Sequence, residues 1–386
     1  MKKFTMMKKI STLILSLFST AIFAQEKIRL DEVEPQPTVT LEQKIGQMLM
    51  LGVGSATSVD ANNPVVKAIQ KGYVGGILLF ERNISPENSK KKLAQLTADL
   101  QSYASVPLLI SIDQEGGKVN RLKEKYGFPK SVTAKHLGSV NDTCITRQYA
   151  DSTASTLQKM GINLNFAPTV DIHQDTNPVI GKFERAYSAN TETIVKQATQ
   201  VIEAHRQYGI MTALKHFPGH GSSRADTHVG VADVTPYWSE NEVTPYVEML
   251  KNNEIDGVLV AHVVNEKLDP EGNPASLSKK IVTDYLRGTL GYNGIVYTDD
   301  MQMHAITEHY GVRESIKRAI LAGDDVLVFS NAIPTKGRKD VAATEMIDMI
   351  VDMVQKGEIS EERINESYYR IIAFKKNLKN NKTAKL

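Results

Sequence analysis

Short apolar runs alternate along the chain with longer segments in which apolar residues recur at helical spacing. Eight such runs, rich in Val, Ile and Leu, cover residues 47–54, 74–80, 107–113, 163–171, 211–217, 257–264, 294–299 and 325–330. Strands that alternate with helices predict a parallel sheet with helical crossovers. Eight strands close a (β/α)8 barrel, so the pattern predicts an α/β fold of the TIM-barrel type.

The segments between these runs carry helix signals. Helices are predicted at 86–103, 146–160, 191–208, 245–253 and 278–289. Gly161 and Gly209 directly follow two of them, which is a common way for a helix to end. A doubly wound open sheet would also explain the alternation. However, the first strand-to-helix turn carries only Gly52 and Gly54 and lacks the third glycine of a dinucleotide-binding fingerprint.

The first 24 residues differ from the rest of the chain. Four lysines precede an apolar run at 13–23, and Ala24 closes the segment. This pattern is typical of a secretory signal peptide, and the run is shorter than the ~20 residues that span a bilayer. We therefore expect a protein that is exported to the periplasm or secreted, without stable membrane insertion after cleavage.

The remaining chain is expected to form one domain. Residues 25–40 contain Pro35 and Pro37 and are predicted to be an extended lead-in. No repeat or Pro-rich linker interrupts residues 41–378, which predicts a single catalytic barrel domain there, and we favour a monomer. A last helix is predicted at 360–374. The Lys/Asn-rich segment from Lys375 is expected to be solvated, with a flexible tail at 379–386.

Composition and charge exclude several classes of protein. The chain has 386 residues, of which 41% are hydrophobic, as in an ordinary globular protein. Loss of the four lysines in residues 1–24 changes the formal net charge from +2 to −2, so no general attraction for nucleic acid is expected. Cys144 is the single cysteine, which excludes an intramolecular disulfide.

Residues suited to chemistry fall at the ends of the predicted strands. Four of the eight runs end in such side chains: Asp113, Asp171, Lys215 with His216, and Asp299 with Asp300. A barrel carries its functional groups at the C-terminal ends of its strands, so these side chains are predicted to converge on one site.

A Gly-rich loop follows the fifth run. Residues 215–221 read Lys-His-Phe-Pro-Gly-His-Gly, and residues 226–228 read Asp-Thr-His. Asp226 and His228 suit an acid/base dyad, because a carboxylate orients an imidazole and raises its basicity near neutral pH. Three histidines in this segment could instead bind zinc. Pro218 and Gly219 rule out the helix that a His-x-x-x-His zinc site requires, so neither a metal nor another cofactor is expected.

Two further motifs contain carboxylates. Residues 113–117 read Asp-Gln-Glu-Gly-Gly, and Arg121 follows. This segment is either a polar clamp for hydroxyl groups or a tight turn with a solvated arginine. Asp299 and Asp300 end the seventh run; a carboxylate near Lys215 stays ionised, as a nucleophile must. Only one of two adjacent acids readily faces a pocket, so the other is expected to be a supporting group or a helix cap.

Together these motifs resemble glycoside hydrolase family 3, and more narrowly its bacterial β-N-acetylglucosaminidase branch. The resemblance covers nearly the whole chain after residue 24 and includes the segments 79–83, 113–117, 215–221, 226–228 and 297–300 in the family's order. It implies a (β/α)8 barrel and a retaining, exo-acting enzyme that forms a covalent glycosyl-enzyme. It implies that Asp299 is the nucleophile and that Asp226 and His228 form the acid/base dyad.

The resemblance also implies a substrate and a set of residues that bind it. The substrate would be terminal N-acetylglucosamine on peptidoglycan-derived or related glycans. The sugar-binding positions are Asp113, Arg121, Arg185, Lys215 and His216. Other functions stay open: a β-glucosidase or β-xylosidase of the same family, an N-acetylglucosaminide phosphorylase, a metal-dependent barrel hydrolase and an inactive glycan-binding protein. A catalytic role for Asp300 also stays open.

Overall fold

The computed structural model describes residues 39–227, 230–307, 309–331 and 341–383. Eight parallel strands form a closed barrel in the order β1-β2-β3-β4-β5-β7-β9-β10, with β10 paired to β1. The predicted α/β barrel is confirmed. The barrel strands are β1 (Leu49–Gly52), β2 (Gly76–Leu79), β3 (Leu109–Ile112), β4 (Leu164–Asn165), β5 (Met211–Phe217), β7 (Gly257–Val260), β9 (Ile295–Asp300) and β10 (Val326–Phe329).

Apart from the polar residues near the ends of β5 and β9, the barrel strands are mostly apolar and almost entirely buried, because helices cover one face and the barrel core fills the other. Two predicted runs are interrupted. The run at 163–171 yields only the short strand β4; Pro168 lies a few residues on and has no N–H to donate to a strand ladder. The run at 257–264 divides into β7 and β8 (Val263–Val264), and β8 pairs with β6 (Ala232–Asp233) in a small separate sheet.

Helices surround the barrel. Their bounds are α1 (Leu41–Gln47), α2 (Pro64–Gln70), α3 (Ser89–Ser102), α4 (Ala134–Val140), α5 (Thr143–Lys159), α6 (Thr191–Gln207), α7 (Thr244–Lys251), α8 (His304–Thr307), α9 (Gly311–Ala322), α10 (Ala343–Gln355) and α11 (Glu361–Thr383). The predicted helix at 278–289 is a π-helix, Lys280–Thr289. Asp142 and Asn190 cap α5 and α6 by accepting hydrogen bonds from the first free N–H groups.

The C-terminal helix corrects one prediction. Helix α11 continues to Thr383, and Lys375, which was expected to start a solvated segment, is buried. Its ammonium donates to Gln47 Oε1 at 2.8 Å and to the Gly75 carbonyl at 2.7 Å. Sequence pattern missed this contact because the two acceptors lie about 300 residues away in the chain.

The chain termini fall partly outside this description. The predicted signal peptide, most of the lead-in and residues 384–386 lie outside the described residues. Across the described ranges, no helix combines the length and apolar character needed to cross a membrane.

Candidate active site

A cavity of about 340 Å³ opens where the strands β3, β5 and β9 end. This is the end of the barrel at which barrel enzymes carry their sites. Its charged and histidine lining comprises Asp113, Glu115, Lys118, Arg121, Arg185, Lys215, His216, His220, Asp226 and Asp299. This set includes every residue to which the sequence assigned a catalytic or sugar-binding role except His228, which lies outside the described residues. Asp171 and Asp300, which were also predicted to converge on the site, are not part of the lining.

Glu115 is the centre of the charged network in the cavity. Arg185 donates to both of its carboxylate oxygens, at 2.9 and 2.7 Å, and the ammonium of Lys215 lies 2.7 Å from Oε1. Thr169 Oγ1 donates to Oε2 at 3.0 Å. Burial disfavours the charge on Glu115, but the two cations outweigh it and hold the pKa of this carboxyl far below its ordinary value. Glu115 is therefore an ionised link between Arg185 and Lys215.

Asp113 extends the network toward the opening of the cavity. Lys215 Nζ donates to its Oδ1 at 2.7 Å, and Arg121 lies 3.7 Å from Oδ2. Burial opposes the charge, but Lys215 and Arg121 outweigh it and lower the pKa of Asp113. Its side chain keeps 20% of its surface exposed, so it can accept hydrogen bonds from a ligand's hydroxyl groups. The clamp interpretation of this segment fits the geometry better than a turn with a solvated arginine.

His216 is held by a carboxylate behind it. Asp171 is fully buried, and its Oδ2 lies 2.6 Å from His216 Nδ1. On the other side of the ring, Arg185 Nη2 lies 3.1 Å from His216 Nε2. Because a guanidinium only donates, Nε2 is the acceptor and Nδ1 carries the proton that is donated to Asp171. Asp171 thus orients His216, while His216 lines the cavity.

Lys215 and His216 are adjacent in β5, yet both side chains line the cavity. Neighbouring side chains of a regular strand point to opposite faces. The pairing of β5 with β7 shifts register between Leu214 and Phe217, an irregularity that includes both residues. Such irregularities redirect side chains next to active sites, and here the shift accounts for two cavity-lining groups in succession.

The two adjacent acids of β9 have different surroundings. Asp299 lines the cavity, and the Asp300 N–H donates to Asp299 Oδ1 at 2.8 Å. The Asp300 carboxylate accepts from the Ser330 N–H at 3.1 Å, from the Ser330 hydroxyl and from the Gln302 N–H at 3.1 Å. Burial raises the pKa of Asp300. Asp299 is thus the cavity group of the pair, and Asp300 joins β9 to the end of β10.

The Gly-rich loop contributes Asp226 and Thr227 to the lining. His220 Nε2 lies 3.4 Å from Thr227 Oγ1, and burial, with a smaller contribution from His216, lowers the pKa of His220 to about 4. His220 is therefore neutral at neutral pH. In the part of the chain that the structure describes, no three His, Cys, Asp or Glu side chains are placed to hold a metal ion.

Sequence reasoning gave no role to several lining residues, among them Glu115, Lys118 and Phe183. Glu115 belongs to the segment 113–117, in which only Asp113, two residues earlier, was predicted to bind the sugar. Phe183, which is 44% exposed, and Lys118 come from loops and carry no periodic signal. Phe183 lies two residues before Arg185, which was predicted to bind the sugar. This short spacing was a sign in the sequence that Phe183 also lies near the cavity.

The chain is similar to known proteins over most of its length. The sequence profile of the glycosyl hydrolase family 3 N-terminal domain matches residues 40–374. A beta-hexosaminidase of Nitrosomonas eutropha is 31% identical over 292 residues, which are 73% of this chain and 80% of that protein. A beta-hexosaminidase of Tolumonas auensis is 33% identical over 67% of this chain and 76% of its own length.

Solved structures give the same result. The family 3 beta-N-acetylglucosaminidase of Paenibacillus sp. str. FPU-7 superposes with a TM-score of 0.79 and 35% identity, over 89% of this chain but only 63% of that one. The beta-N-acetylhexosaminidase of Beutenbergia cavernae has a TM-score of 0.78 and 28% identity, over 88% of this chain and 99% of that one.

Proposed function

This chain belongs to glycosyl hydrolase family 3 and is a glycoside hydrolase, and we propose that it removes terminal β-linked N-acetylglucosamine from glycans with retention of configuration. The observation that carries the proposal is the position of Asp299, which lines the same cavity as Asp113, Lys215 and His216. The names of the similar proteins support an N-acetylhexosamine rather than glucose or xylose as the sugar.

The charged network suits the binding of one sugar at the end of a chain. Asp113, Arg121 and Lys215 offer charged donors and acceptors to the hydroxyl groups of a sugar. A cavity of about 340 Å³ lies at the small end of the range for ligand sites, which favours a single terminal sugar over a longer stretch of glycan. The enzyme would therefore be exo-acting.

In the proposed reaction, Asp299 Oδ attacks the anomeric carbon and forms a C–O bond as the bond to the leaving oxygen breaks. His228, oriented by Asp226, gives its proton to that oxygen. In the second step His228 takes a proton from water, whose oxygen displaces Asp299 and releases the sugar. The assignment of His228 depends on its position two residues after Asp226, which lines the cavity.

The N-terminal sequence supports a proposed location, and the location in turn suggests natural substrates. The predicted signal peptide at 1–24 supports export, and an exported enzyme of this specificity would meet peptidoglycan fragments or other N-acetylglucosamine-capped glycans. We propose these as its substrates. Mass measurement of the mature protein tests removal of residues 1–24.

The experiment compares 4-nitrophenyl N-acetylglucosaminide with the matching glucoside, using the protein without residues 1–24. Preference for the N-acetylglucosaminide is expected, and predominant cleavage of the glucoside would overturn the substrate assignment. Asp299→Asn should abolish turnover, whereas Asp175→Asn, a change at an 87% exposed carboxylate, should not. Full activity of the Asp299 variant would exclude it as the nucleophile.

A further inference from the structure

The loop that carries Asp226 begins in a stem, residues 216–222, whose backbone is held by side chains from elsewhere in the chain. Asp171 Oδ1 accepts the N–H of His220 at 2.8 Å. The amide of Asn177 donates to the carbonyls of His220 and Gly221 at 2.6 and 3.0 Å. The start of the loop is therefore fixed to the segment that follows β4.

A second hold on the stem comes from the short helical turn Glu240–Glu242, which precedes α7. The Glu242 carboxylate accepts the N–H of Gly221 at 3.1 Å and the N–H of Ser222 at 2.7 Å. Glu242 is 2% exposed. Gly219 is in such close contact with it that a Cβ on Gly219 would lie 2.4 Å from Glu242 Cβ. The stem and the carboxylate thus fit one backbone path.

Trp238 adds a third contact from the same side. Its indole Nε1 donates to the Pro218 carbonyl at 2.9 Å. Beyond Ser222, the Ser223 hydroxyl donates to the Ala225 carbonyl at 2.8 Å, and the Arg224 guanidinium lies over the Tyr237 ring, 4.3 Å from its centre. Gly221 and Ser222 are the points at which the Glu242 carboxylate fixes the backbone ahead of Asp226.

We propose that Glu242 is a positioning residue for protonation of the leaving group: its carboxylate fixes the stem of the loop that carries Asp226 at the cavity. Glu242 acts through the backbone of Gly221 and Ser222. This inference rests on the proposed function, because it assumes that Asp226 and His228 form the acid/base dyad.

A residue needed only for packing would not require a carboxylate here. Burial raises the pKa of Glu242 to about 7, the two backbone N–H donors oppose that rise, and the buried carboxylate of Asp171 adds to it. The protein thus keeps an acid at a position where burial disfavours its charge. The hydrogen bonds from the two consecutive N–H groups at the loop stem favour that charge and explain why an acid is present.

The test uses Glu242→Gln with two substrates. Glutamine keeps the volume but has one acceptor oxygen, and its NH₂ group would face the second N–H. For N,N′-diacetylchitobiose, whose leaving group needs a proton, kcat/KM should fall by about 10- to 100-fold, a part of the roughly 10²- to 10⁴-fold effect of a general acid. For 2,4-dinitrophenyl N-acetylglucosaminide, whose leaving group needs none, kcat/KM should change less than about 3-fold.

The matched control is Glu240→Gln, an exposed glutamate in the same turn, which should leave both substrates unaffected. Trp238→Phe removes the bond to Pro218 and should reproduce the split between substrates at smaller size. This variant decides the question if Glu242→Gln does not fold, as judged by circular dichroism and urea unfolding.

Equal losses on both substrates, or no loss on either, would overturn the role of Glu242. His228→Ala separates this failure from that of the proposed function, since it should itself show a strong split between the substrates. A split for His228→Ala without one for Glu242→Gln leaves the proposed function standing and refutes the positioning role. No split for His228→Ala refutes the proposed acid/base assignment and, with it, the positioning role.

Discussion

Glu115 contacts two cations, Arg185 and Lys215, in the active-site cavity, and its replacement by glutamine tests whether this charged network stabilises the fold. Arg185 and Lys215 both contact the Glu115 carboxylate at 2.7 Å, and the exposed fractions of the three side chains are 6% for Glu115, 11% for Arg185 and 4% for Lys215. Glu115→Gln keeps the shape of the side chain and removes the charge. The two cations then stay buried with less compensation.

The expected cost is large for a single substitution. Removal of one partner from a buried ion pair costs about 3–5 kcal/mol. Glutamine still offers one carbonyl oxygen to Arg185 or Lys215, so we expect a value near the low end, about 3 kcal/mol at pH 7. The control Glu184→Gln lies in an exposed pair with Lys118, with a 3.4 Å N–O distance, and should cost at most about 1 kcal/mol.

The effect should depend on pH in a defined direction. The folded state lowers the pKa of Glu115, so its contribution is complete above the unfolded-state value, about 4.3, and is lost as the pH falls toward the folded-state value. The difference in unfolding free energy between the wild type and Glu115→Gln should therefore narrow below about pH 4, by up to about 1.4 kcal/mol per pH unit.

Urea unfolding of the wild type, Glu115→Gln and Glu184→Gln at several pH values between 3 and 7 measures both effects. A difference below about 1 kcal/mol between the wild type and Glu115→Gln at pH 7 would refute the claim that Glu115 compensates two buried cations. A difference that stays constant from pH 5 to pH 3 would refute the assignment of the stabilisation to the Glu115 charge.

Two other regions give separate predictions. Phe183→Ala, at the exposed rim of the cavity, should raise KM for N,N′-diacetylchitobiose by roughly 2- to 10-fold, because one aromatic contact contributes about 0.5–1.5 kcal/mol; an unchanged KM would exclude a contact with the second sugar. Burial lowers the pKa of Lys375 to about 7, so the unfolded chain binds one more proton than the folded chain between about pH 7 and 10, and stability gains up to about 1.4 kcal/mol per pH unit there. Lys375→Met should lose that slope in urea unfolding at pH 7.5 and 9.5, whereas a change at the exposed Lys376 should keep it; equal slopes for the wild type and Lys375→Met would contradict the reasoning.

The barrel could be predicted because its strands are buried on both faces. A strand with this burial needs a continuous apolar run, and β5 agrees with its predicted run at both ends, Met211–Phe217. The predicted run at 163–171 was too long for the strand β4, because Pro168 has no N–H to donate to a neighbouring strand. The prediction that Lys375 is exposed to solvent was wrong, because its ammonium is buried and donates to Gln47 and to the Gly75 carbonyl.

Some residues of the candidate site could likewise be predicted from the sequence, and others could not. Asp113, Lys215 and Asp299 could be predicted to line one cavity because the C-terminal ends of the strands meet at one end of a barrel. The end of each apolar run in the sequence marks where its strand ends. The position of Glu242 depends on how a loop returns to the barrel. Glu240 and Glu242 lie two residues apart in one polar turn, yet one is exposed and the other is 2% exposed. Nothing local to the sequence separates them.

The groups of the proposed reaction lie on two different parts of the fold. The charged network lies at the ends of β3 and β5 and in the segments that follow β3 and β4, and Asp299 lies in β9, whereas a loop fixed at Gly221 and Ser222 carries Asp226. A double displacement uses its nucleophile once but its acid/base group twice, first to protonate the leaving oxygen and then to deprotonate water. Changes in the strand-end network should therefore weaken binding of every substrate with the same sugar. Changes at the loop stem should discriminate between leaving groups, since only the group carried by the loop acts on them.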